Sequence, residues 1–114
     1  MSSYKNLHAF EKRKLEASKI RQKYPDRIPI IVERRDSKDP SIDKVKYLVP
    51  ANFQLAQFQN LIRERVKIKS DEALFLFINK TLEPAGKNLG LIYKESADED
   101  GFLYITYTKE STFG

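Results

Sequence analysis

Apolar residues recur along the chain with two periods, one typical of helices and one typical of strands. At the helical period, a stripe runs through residues 10–24, and Pro25 ends it because the residue before a proline avoids the helical region. A shorter helical segment, 4–8, precedes this helix, and another short helix covers 89–95. The stripe of the first long helix consists of Phe10, Ala17, Ile20 and Tyr24.

The middle of the chain carries a second long helical stripe. Asn52 is a residue type that often caps helix N-termini, so we expect the helix to begin just after it. Apolar residues then recur every three or four positions, as they do on the buried face of a helix. They are Leu55, Phe58, Leu61, Ile62 and Val66.

Runs rich in β-branched and aromatic residues predict strands at 28–33, 45–50, 73–79 and 102–108. The first run is apolar on both faces, so both faces need cover. Pro29 argues against an interior position for this strand, and we place Pro29 near its beginning. In the third run, Phe75 and Phe77 are expected to face the core.

The order of these elements is α-α-β-β-α-β-α-β. Without the first two helices it is β-β-α-β-α-β, which in a short chain predicts an α+β fold with one helix packed across a mixed four-stranded sheet. The first two strands form a hairpin, and a right-handed crossover through the middle helix makes two strands parallel. A hydrophobic content of 40% in 114 residues is enough for a single domain with one core.

Composition excludes several classes of function. The chain has no cysteine, which removes disulfides, thiolate metal sites and cysteine catalysis. Its start has no apolar leader, and no run approaches the roughly 18 apolar residues of a membrane span. We therefore expect a cytoplasmic protein.

Candidate catalytic and cofactor-binding residues are few. The single histidine, His8, has no nucleophile as a plausible partner, and Gly86-Lys87 lacks the upstream glycine of a phosphate-binding loop. Asp98 and Asp100 lie in a predicted turn and are better explained as solvated turn residues than as a metal site. We expect no catalysis, no cofactor and no metal.

Positive charge is concentrated in the first third of the chain. Residues 1–35 carry ten Lys/Arg and four Asp/Glu, whereas the remaining residues carry eleven and twelve. Such a segment favours acidic partners, so a small nucleic-acid-binding or acidic-protein-binding module is an alternative function. Against nucleic acid, the last strand has no basic–aromatic pattern, and Glu11 and Glu16 interrupt the basic helix. A solvated charged face accounts for the same residues.

Six stretches resemble the ubiquitin-like modifiers of autophagy, the autophagy-related protein eight family. They are FEKRK at 10–14, YPDRIPIIVER at 24–34, DKVKYLVPA at 43–51, QFQNLIRER at 57–65, ALFLFINKTL at 73–82 and DGFLYITYTKESTFG at 100–114. The resemblance implies a ubiquitin-like β-grasp with two extra N-terminal helices. The expected organisation is a single ubiquitin-like domain, 1–114, with an N-terminal helical extension (1–24), a β-grasp core (25–108) and a flexible C-terminal conjugation tail (109–114).

The resemblance also implies how such a chain works. Family members are conjugated through a C-terminal glycine, here Gly114, to phosphatidylethanolamine, and they bind cargo receptors and adaptors with aromatic-x-x-aliphatic motifs. The other implied partners are the activating and conjugating enzymes of the lipidation pathway and a cysteine protease for delipidation. The chain is then a monomer in solution that reaches autophagosomal membranes through its covalent lipid, and no nucleic acid is expected to bind.

Two ligand pockets are implied beside the second strand, whose open edge is expected to accept an extended peptide. The aromatic pocket consists of Glu16, Ile20, Pro29, Ile31, Lys46, Leu48 and Phe102. The aliphatic pocket consists of Tyr47, Val49, Pro50, Phe53, Phe58, Leu61 and Ile62. Lys46 and Arg65 are expected to attract acidic residues that flank the motif. From the residues alone, ordinary core packing explains any one of these apolar side chains.

Three positions depart from the family pattern. Glu83-Pro84 stands where two prolines are common, Phe53-Gln54-Leu55-Ala56 replaces a usual Leu-Thr-Val-Gly, and Glu64 interrupts a basic triplet. We expect these changes to reshape the aliphatic pocket and to weaken its attraction for acidic flanks.

Overall fold

The computed structural model describes residues 2–111 and contains every predicted element. The helices are α1 (Ser3–Leu7), α2 (Phe10–Lys23), α3 (Leu55–Val66) and α4 (Leu89–Ser96). The strands are β1 (Arg27–Arg34), β2 (Lys46–Pro50), β3 (Glu72–Ile78) and β4 (Leu103–Ser111). The order of helices and strands predicted from the sequence is confirmed.

The four strands form one mixed sheet in the order β2-β1-β4-β3. β1 pairs antiparallel with β2, and β3 pairs antiparallel with β4, whereas the central strands β1 and β4 run parallel. The predicted hairpin is confirmed, and two strands are parallel as predicted, but the parallel pair is β1 and β4, whereas the strands that α3 connects, β2 and β3, lie at opposite edges. Because β1 and β4 occupy the centre, β2 and β3 are the two edges of the sheet.

The main core lies between α3 and one face of the sheet. The helix contributes its predicted stripe, of which Leu55, Phe58, Ile62 and Val66 are buried. The sheet contributes Ile28, Ile30, Val32, Tyr47, Val49, Leu74, Leu76, Ile78, Leu103, Ile105 and Tyr107. These residues alternate along each strand, as the side chains on one face of a sheet must. The predicted helix across a mixed sheet is therefore confirmed.

α3 begins later than predicted, and Asn52 is not its N-cap. The N-cap is Gln54, whose amide donates to the Gln57 side chain at 2.8 Å in a reciprocal capping box. Asn52 lies in the preceding turn. The reason is a distant contact: the carbonyl of Phe53 accepts the amide of Leu89 at 2.8 Å, which holds residue 53 outside the helix.

The N-terminal helices cover part of the opposite face of the sheet. A second buried cluster there consists of Tyr4, Ala17, Ile31 and Phe102, with Ile20 and Tyr104 packed against it. Ile31 thus faces these helices, whereas Ile30 and Val32 face α3. Both faces of β1 are covered, as its two apolar faces require.

Pro29 lies in an interior strand without breaking the sheet. The amide of Val32 donates to the carbonyl of Val45 at 2.8 Å, so even-numbered residues of β1 direct their backbone groups at β2 and odd-numbered residues at β4. Position 29 would therefore donate towards β4, but pairing with β4 starts only at Ile30. The missing amide hydrogen of proline costs no ladder hydrogen bond at this position.

The two phenylalanines of β3 are outside the main core, so the prediction that they face it is wrong. The leucines and the isoleucine of this strand face α3, and strand alternation turns Phe75 and Phe77 to the opposite face. Both are half-buried there. The guanidinium carbon of Arg35 lies 4.2 Å from the ring centroid of Phe77.

β4 extends into the segment expected to be the C-terminal tail, 109–114. Residues 109–111 continue the antiparallel ladder opposite residues 72–74 of β3. The predicted boundary at residue 109 is therefore corrected, because pairing with β3 holds this segment to the sheet. The rest of the predicted tail lies outside the described residues.

Candidate functional site

The outward side of the edge strand β2 is open. Since Val32 donates to Val45 across the β1–β2 pair, alternate residues of β2 direct their amides and carbonyls at β1. Lys46 and Leu48 lie between these residues and direct their own amides and carbonyls away from the sheet. Within residues 2–111, these four backbone groups have no hydrogen-bond partner. Such an edge can accept the main chain of an extended segment.

The residues predicted for the aromatic pocket come together where α2 crosses the sheet. In the β1–β2 ladder, Pro29 lies opposite Leu48, and Ile31 lies opposite Lys46. Residues directly opposite each other share a face of the sheet. All four side chains therefore lie on the face that α2 covers.

The floor of this region is closed. Ile31 and Phe102 are 0% exposed, and Ile20 of α2 is half-buried against them. Leu48, on the edge strand, is half-buried. An aromatic side chain that enters here must displace side chains of α2, because the floor residues have no surface open to solvent. The assignment of these residues to a ligand pocket stays a prediction.

An ion pair between Glu16 and Lys46 bridges α2 and β2 beside this region. The hydroxyl of Tyr4 donates to Glu16 at 3.2 Å, and the Lys46 ammonium lies 5.8 Å from the Tyr4 ring centroid. Burial disfavours the charged ammonium, but its hydrogen bond to Glu16 and the nearby negative charge outweigh this effect and raise the pKa of Lys46. Acidic residues of a ligand must therefore compete with Glu16 for a lysine that is already paired.

Three of the seven residues predicted for the aliphatic pocket, namely Tyr47, Val49 and Leu61, line a partly open cleft between β2 and α3, whereas the other four do not line it. Four of the seven belong to the main core, namely Tyr47, Val49, Phe58 and Ile62. Three are half-buried, namely Pro50, Phe53 and Leu61. The cleft has a volume of about 450 Å³ and is lined by Lys44, Tyr47, Leu48, Val49, Leu61, Glu64 and Arg65. Leu48 borders this cleft because it lies on the edge strand between Tyr47 and Val49, although its side chain lies on the opposite face of the sheet.

Sequence reasoning missed Lys44 as a lining residue of this cleft, and it connected Glu64 with the pocket only through the departure from the family pattern. Glu64 lies three positions after Leu61 on α3, a spacing that puts both on one helix face, so helical periodicity alone was a sufficient signal. Lys44 precedes β2, and no local pattern identified it. Glu83, by contrast, lies on the other side of α3, beside β3, where it pairs with Lys87 at 3.0 Å. That departure from the family pattern is remote from the cleft.

Tyr47, which lines the cleft, has a buried hydroxyl with no hydrogen-bond partner among the described residues. Its ring packs edge-on against Phe58, with 5.7 Å between centroids, and the Lys44 ammonium lies 5.2 Å from the Tyr47 centroid. Burial raises the pKa of Tyr47. A ligand that brings an acceptor to this hydroxyl relieves an unsatisfied polar group.

Arg65 is the second residue predicted to attract acidic flanks. Its guanidinium lies 3.4 Å from the carboxylate of Asp43, and both side chains are exposed. An exposed pair of this kind contributes little free energy. Because this contact is longer than the Lys46–Glu16 pair and its carboxylate is more exposed, Arg65 is more readily available to a ligand than Lys46.

Part of the positive charge of the N-terminal third is used inside the molecule. The Lys5 ammonium lies 2.6 Å from Asp98, and the Arg13 guanidinium lies 2.5 Å from Asp100. Asp100 is 1% exposed, so its interpretation as a solvated turn residue is wrong. The acidic turn instead binds both N-terminal helices, because a buried carboxylate requires a charged partner.

The predicted conjugation residue, Gly114, lies outside the described residues. Within residues 2–111, no group of three or more His, Cys, Asp or Glu side chains is placed to hold a metal ion. The helices in the same range are all too short or too polar to cross a membrane.

Comparison with known sequences gives one consistent result. The family described as "Autophagy protein Atg8 ubiquitin like" matches residues 12–114. Autophagy-related protein 8c of Arabidopsis thaliana is 52% identical over 114 residues, which cover 99% of this chain and 96% of that protein. Autophagy-related protein 8 of Mycosarcoma maydis is also 52% identical, over 99% of this chain and 97% of that protein.

Two solved structures are similar in fold. The crystal structure of Trypanosoma brucei ATG8 superposes with a TM-score of 0.91 at 42% identity, covering 100% of this chain and 99% of that one. Plasmodium falciparum Atg8, in complex with a Plasmodium falciparum Atg3 peptide, gives a TM-score of 0.86 at 34% identity, over 95% and 96% of the two chains. The ubiquitin-like fold implied by the resemblance is therefore confirmed.

Proposed function

Because the chain belongs to the Atg8 family of ubiquitin-like autophagy proteins, we propose that it is conjugated through Gly114 to phosphatidylethanolamine and then acts as a docking platform. The lipidated chain is located on autophagosomal membranes, and the chain is cytoplasmic before it is lipidated. The docked partners are cargo receptors and adaptors with an aromatic-x-x-aliphatic motif. In this role the chain is the substrate of the lipidation enzymes rather than a catalyst.

The open edge of β2 is the observation that carries the docking proposal. Lys46 and Leu48 offer unpaired backbone groups at successive outward positions, to which an added strand can bind along its main chain. Successive side chains of a strand point to opposite faces, so two residues separated by x-x also point to opposite faces. The aromatic residue then meets the α2 side of the sheet, and the aliphatic residue meets the cleft beside α3.

Positive charge around the edge favours acidic residues next to the motif. Lys44 and Arg65 line the cleft, and Lys46 lies on the edge strand itself. Charges at the rim of an interface mainly accelerate association and are weakened by salt. The proposed partners are therefore extended segments that carry Asp or Glu beside the aromatic residue.

A titration followed by backbone amide shifts tests the docking proposal. The ligand is a peptide with an acid-flanked Trp-x-x-Leu core, and the shifts are expected to centre on Ile31, Lys46, Leu48 and Val49. Leu48→Ala should weaken binding by about 1–3 kcal/mol, since it removes a side chain at the centre of the contact. Leu91→Ala is the matched control, because Leu91 is a 46% exposed leucine on α4. Equal affinity of both variants would reject the β2 edge as the docking site.

The conjugation proposal needs a separate test. The solved complex of the Plasmodium falciparum relative with an Atg3 peptide supports the conjugating enzyme as a partner of this chain. Reconstitution uses the activating and conjugating enzymes, ATP and vesicles that contain phosphatidylethanolamine. A Gly114 deletion should abolish the lipidated product, whereas Gly86→Ala, in open space, should leave it unchanged. Lipidation of the deletion variant would contradict the assignment of Gly114 as the conjugated residue.

A further inference from the structure

The sheet has a second edge, β3, whose outward backbone groups can be identified from the ladder. The amide of Arg35 donates to the carbonyl of Tyr107 at 2.8 Å, so the backbone groups of Tyr107 point at β1. Its ladder partner on β3 is Leu76, which therefore directs its own groups away from the sheet. By alternation, the outward residues of β3 are Glu72, Leu74, Leu76 and Ile78.

Two side chains of α3 cover the first outward carbonyls of this edge. The Gln59 amide donates to the carbonyl of Leu74 at 2.9 Å, and the Arg63 guanidinium donates to the carbonyl of Glu72 at 2.9 Å. Four residues of helix rise about 6 Å, and two residues of strand rise about 7 Å. Donors at i and i+4 on α3 thus match the spacing of alternate carbonyls on β3.

The far end of the edge is closed by a turn. There, Ile78 exchanges two backbone hydrogen bonds with Thr81, at 2.9 and 3.0 Å. At the other end of the strand, the amide of Glu72 donates to the carbonyl of Lys69 at 3.1 Å. Among the described residues, the amide of Leu74 and both groups of Leu76 are left without such a partner. β3 therefore offers one complete outward pair of groups, whereas β2 offers two.

The surroundings of β3 would otherwise favour strand addition. A groove of about 430 Å³ runs between α3 and β3, and its apolar lining includes Leu55, Leu76 and Leu82. Leu82 is 54% exposed. The strand itself, EALFLFI, combines high β-propensity with no proline and a single charge, which is typical of segments that pair with copies of themselves.

We infer that Gln59 and Arg63 close the β3 edge against strand addition, and that the partner they exclude is the β3 edge of a second copy of this chain. Two antiparallel β3 edges related by a twofold axis would present identical, self-complementary surfaces. The capped carbonyls at Glu72 and Leu74 deprive that ladder of acceptors. The β2 edge thus stays available to an added strand, whereas the β3 edge is blocked. This inference concerns the opposite edge from the docking site, so its outcome is independent of the proposed function.

The test removes both donors in the full chain. Gln59→Ala/Arg63→Ala is compared with the wild type and with Asn60→Ala, which removes an exposed amide side chain from the same helix. Sedimentation equilibrium over a range of concentrations measures association, and hydrogen exchange measures protection of the Leu74 and Leu76 amides. The wild type and the control should stay monomeric. The double variant should dimerise, with exchange of both amides slowing as protein concentration rises.

A second variant tests the inference if the double variant does not fold. Gln59→Glu keeps the size and helix propensity of the side chain but replaces the donor at the Leu74 carbonyl with an acceptor. It should dimerise where the wild type stays monomeric, and the dimer should protect the same two amides. Monomeric behaviour of every folded variant, with exchange as in the wild type, would overturn the inference. A wild type that already dimerises through β3 would also overturn it.

Discussion

Arg13 and Asp100 form a buried ion pair that ties α2 to the turn before β4, with 2.5 Å between guanidinium nitrogen and carboxylate oxygen. The same carboxylate accepts the amide of Phe102 at 2.8 Å and the hydroxyl of Tyr104. Burial, together with the hydrogen bond to Asp100, raises the pKa of Tyr104 well above its usual range. Because Phe102 lies on the floor of the predicted aromatic pocket, this network connects the N-terminal helices to the candidate docking site.

Loss of the Asp100 charge should strongly destabilise the fold. Asp100→Asn leaves the Arg13 guanidinium buried without an anionic partner, which we expect to cost about 3 kcal/mol in the free energy of unfolding. Urea denaturation measures the loss. The control is Lys5→Ala, which breaks the more exposed pair with Asp98 and should cost less than about 1 kcal/mol. Equal losses in the two variants would show that burial of the Arg13 pair is unimportant.

Gly101 is required by both its backbone conformation and its neighbour. Its φ is +94°, and a Cβ there would lie 2.9 Å from the Cβ of Ala17 on α2. Gly101→Ala should cost at least about 1–2 kcal/mol from the backbone alone, and more if α2 shifts. Gly86→Ala, with no atom within 4 Å of the new Cβ, should change stability by less than about 1 kcal/mol. Thermal unfolding of both variants checks this, and a tolerant Gly101 would contradict it.

The contact between Lys5 and Asp98 should make stability depend on pH in the acid range. Burial alone raises the pKa of Asp98, but hydrogen bonds from Lys5 and from the Asp100 amide outweigh it and hold the pKa below its ordinary value of 3.8. A carboxyl whose pKa is lower in the folded state stabilises the fold above its unfolded pKa, and this contribution disappears as the pH falls through the folded pKa.

Asp98→Asn should therefore lose less stability than the wild type between about pH 6 and about pH 3. Urea denaturation at a series of pH values measures the difference. Parallel pH profiles for the two proteins would mean that Asp98 does not contribute to acid unfolding.

Glu16 should restrain peptide binding through its pair with Lys46. Glu16→Gln frees the ammonium for acidic residues of a ligand, so an acid-flanked aromatic-x-x-aliphatic peptide should bind up to about fivefold more tightly. The gain should fall at high salt. A peptide with neutral flanks is the control and should bind both proteins equally. Weaker binding of the acid-flanked peptide would show that Glu16 itself supports the ligand.

Much of the fold could be predicted because the relevant patterns are local. The stripe that includes Phe58 and Ile62 identified α3, and the two apolar faces of the first strand correctly required cover on both sides. Errors arose where a distant residue decided the outcome. Asn52 is not the N-cap of α3 because the amide of Leu89 on α4 donates to the carbonyl of Phe53. Phe75 points away from α3 because that helix, which is separate from β3 in sequence, packs on the face of the strand that carries Leu74 and Leu76.

The type and order of the elements, and the family, were determined by the sequence, since both depend only on which residues follow one another. The tertiary structure alone decided which backbone groups remain open. Lys46 on β2 has free outward groups, whereas the carbonyl of Leu74 on β3 is capped by Gln59. The physical reason is that an amide or carbonyl is satisfied by whatever partner the fold brings within reach, and those partners lie far away along the chain.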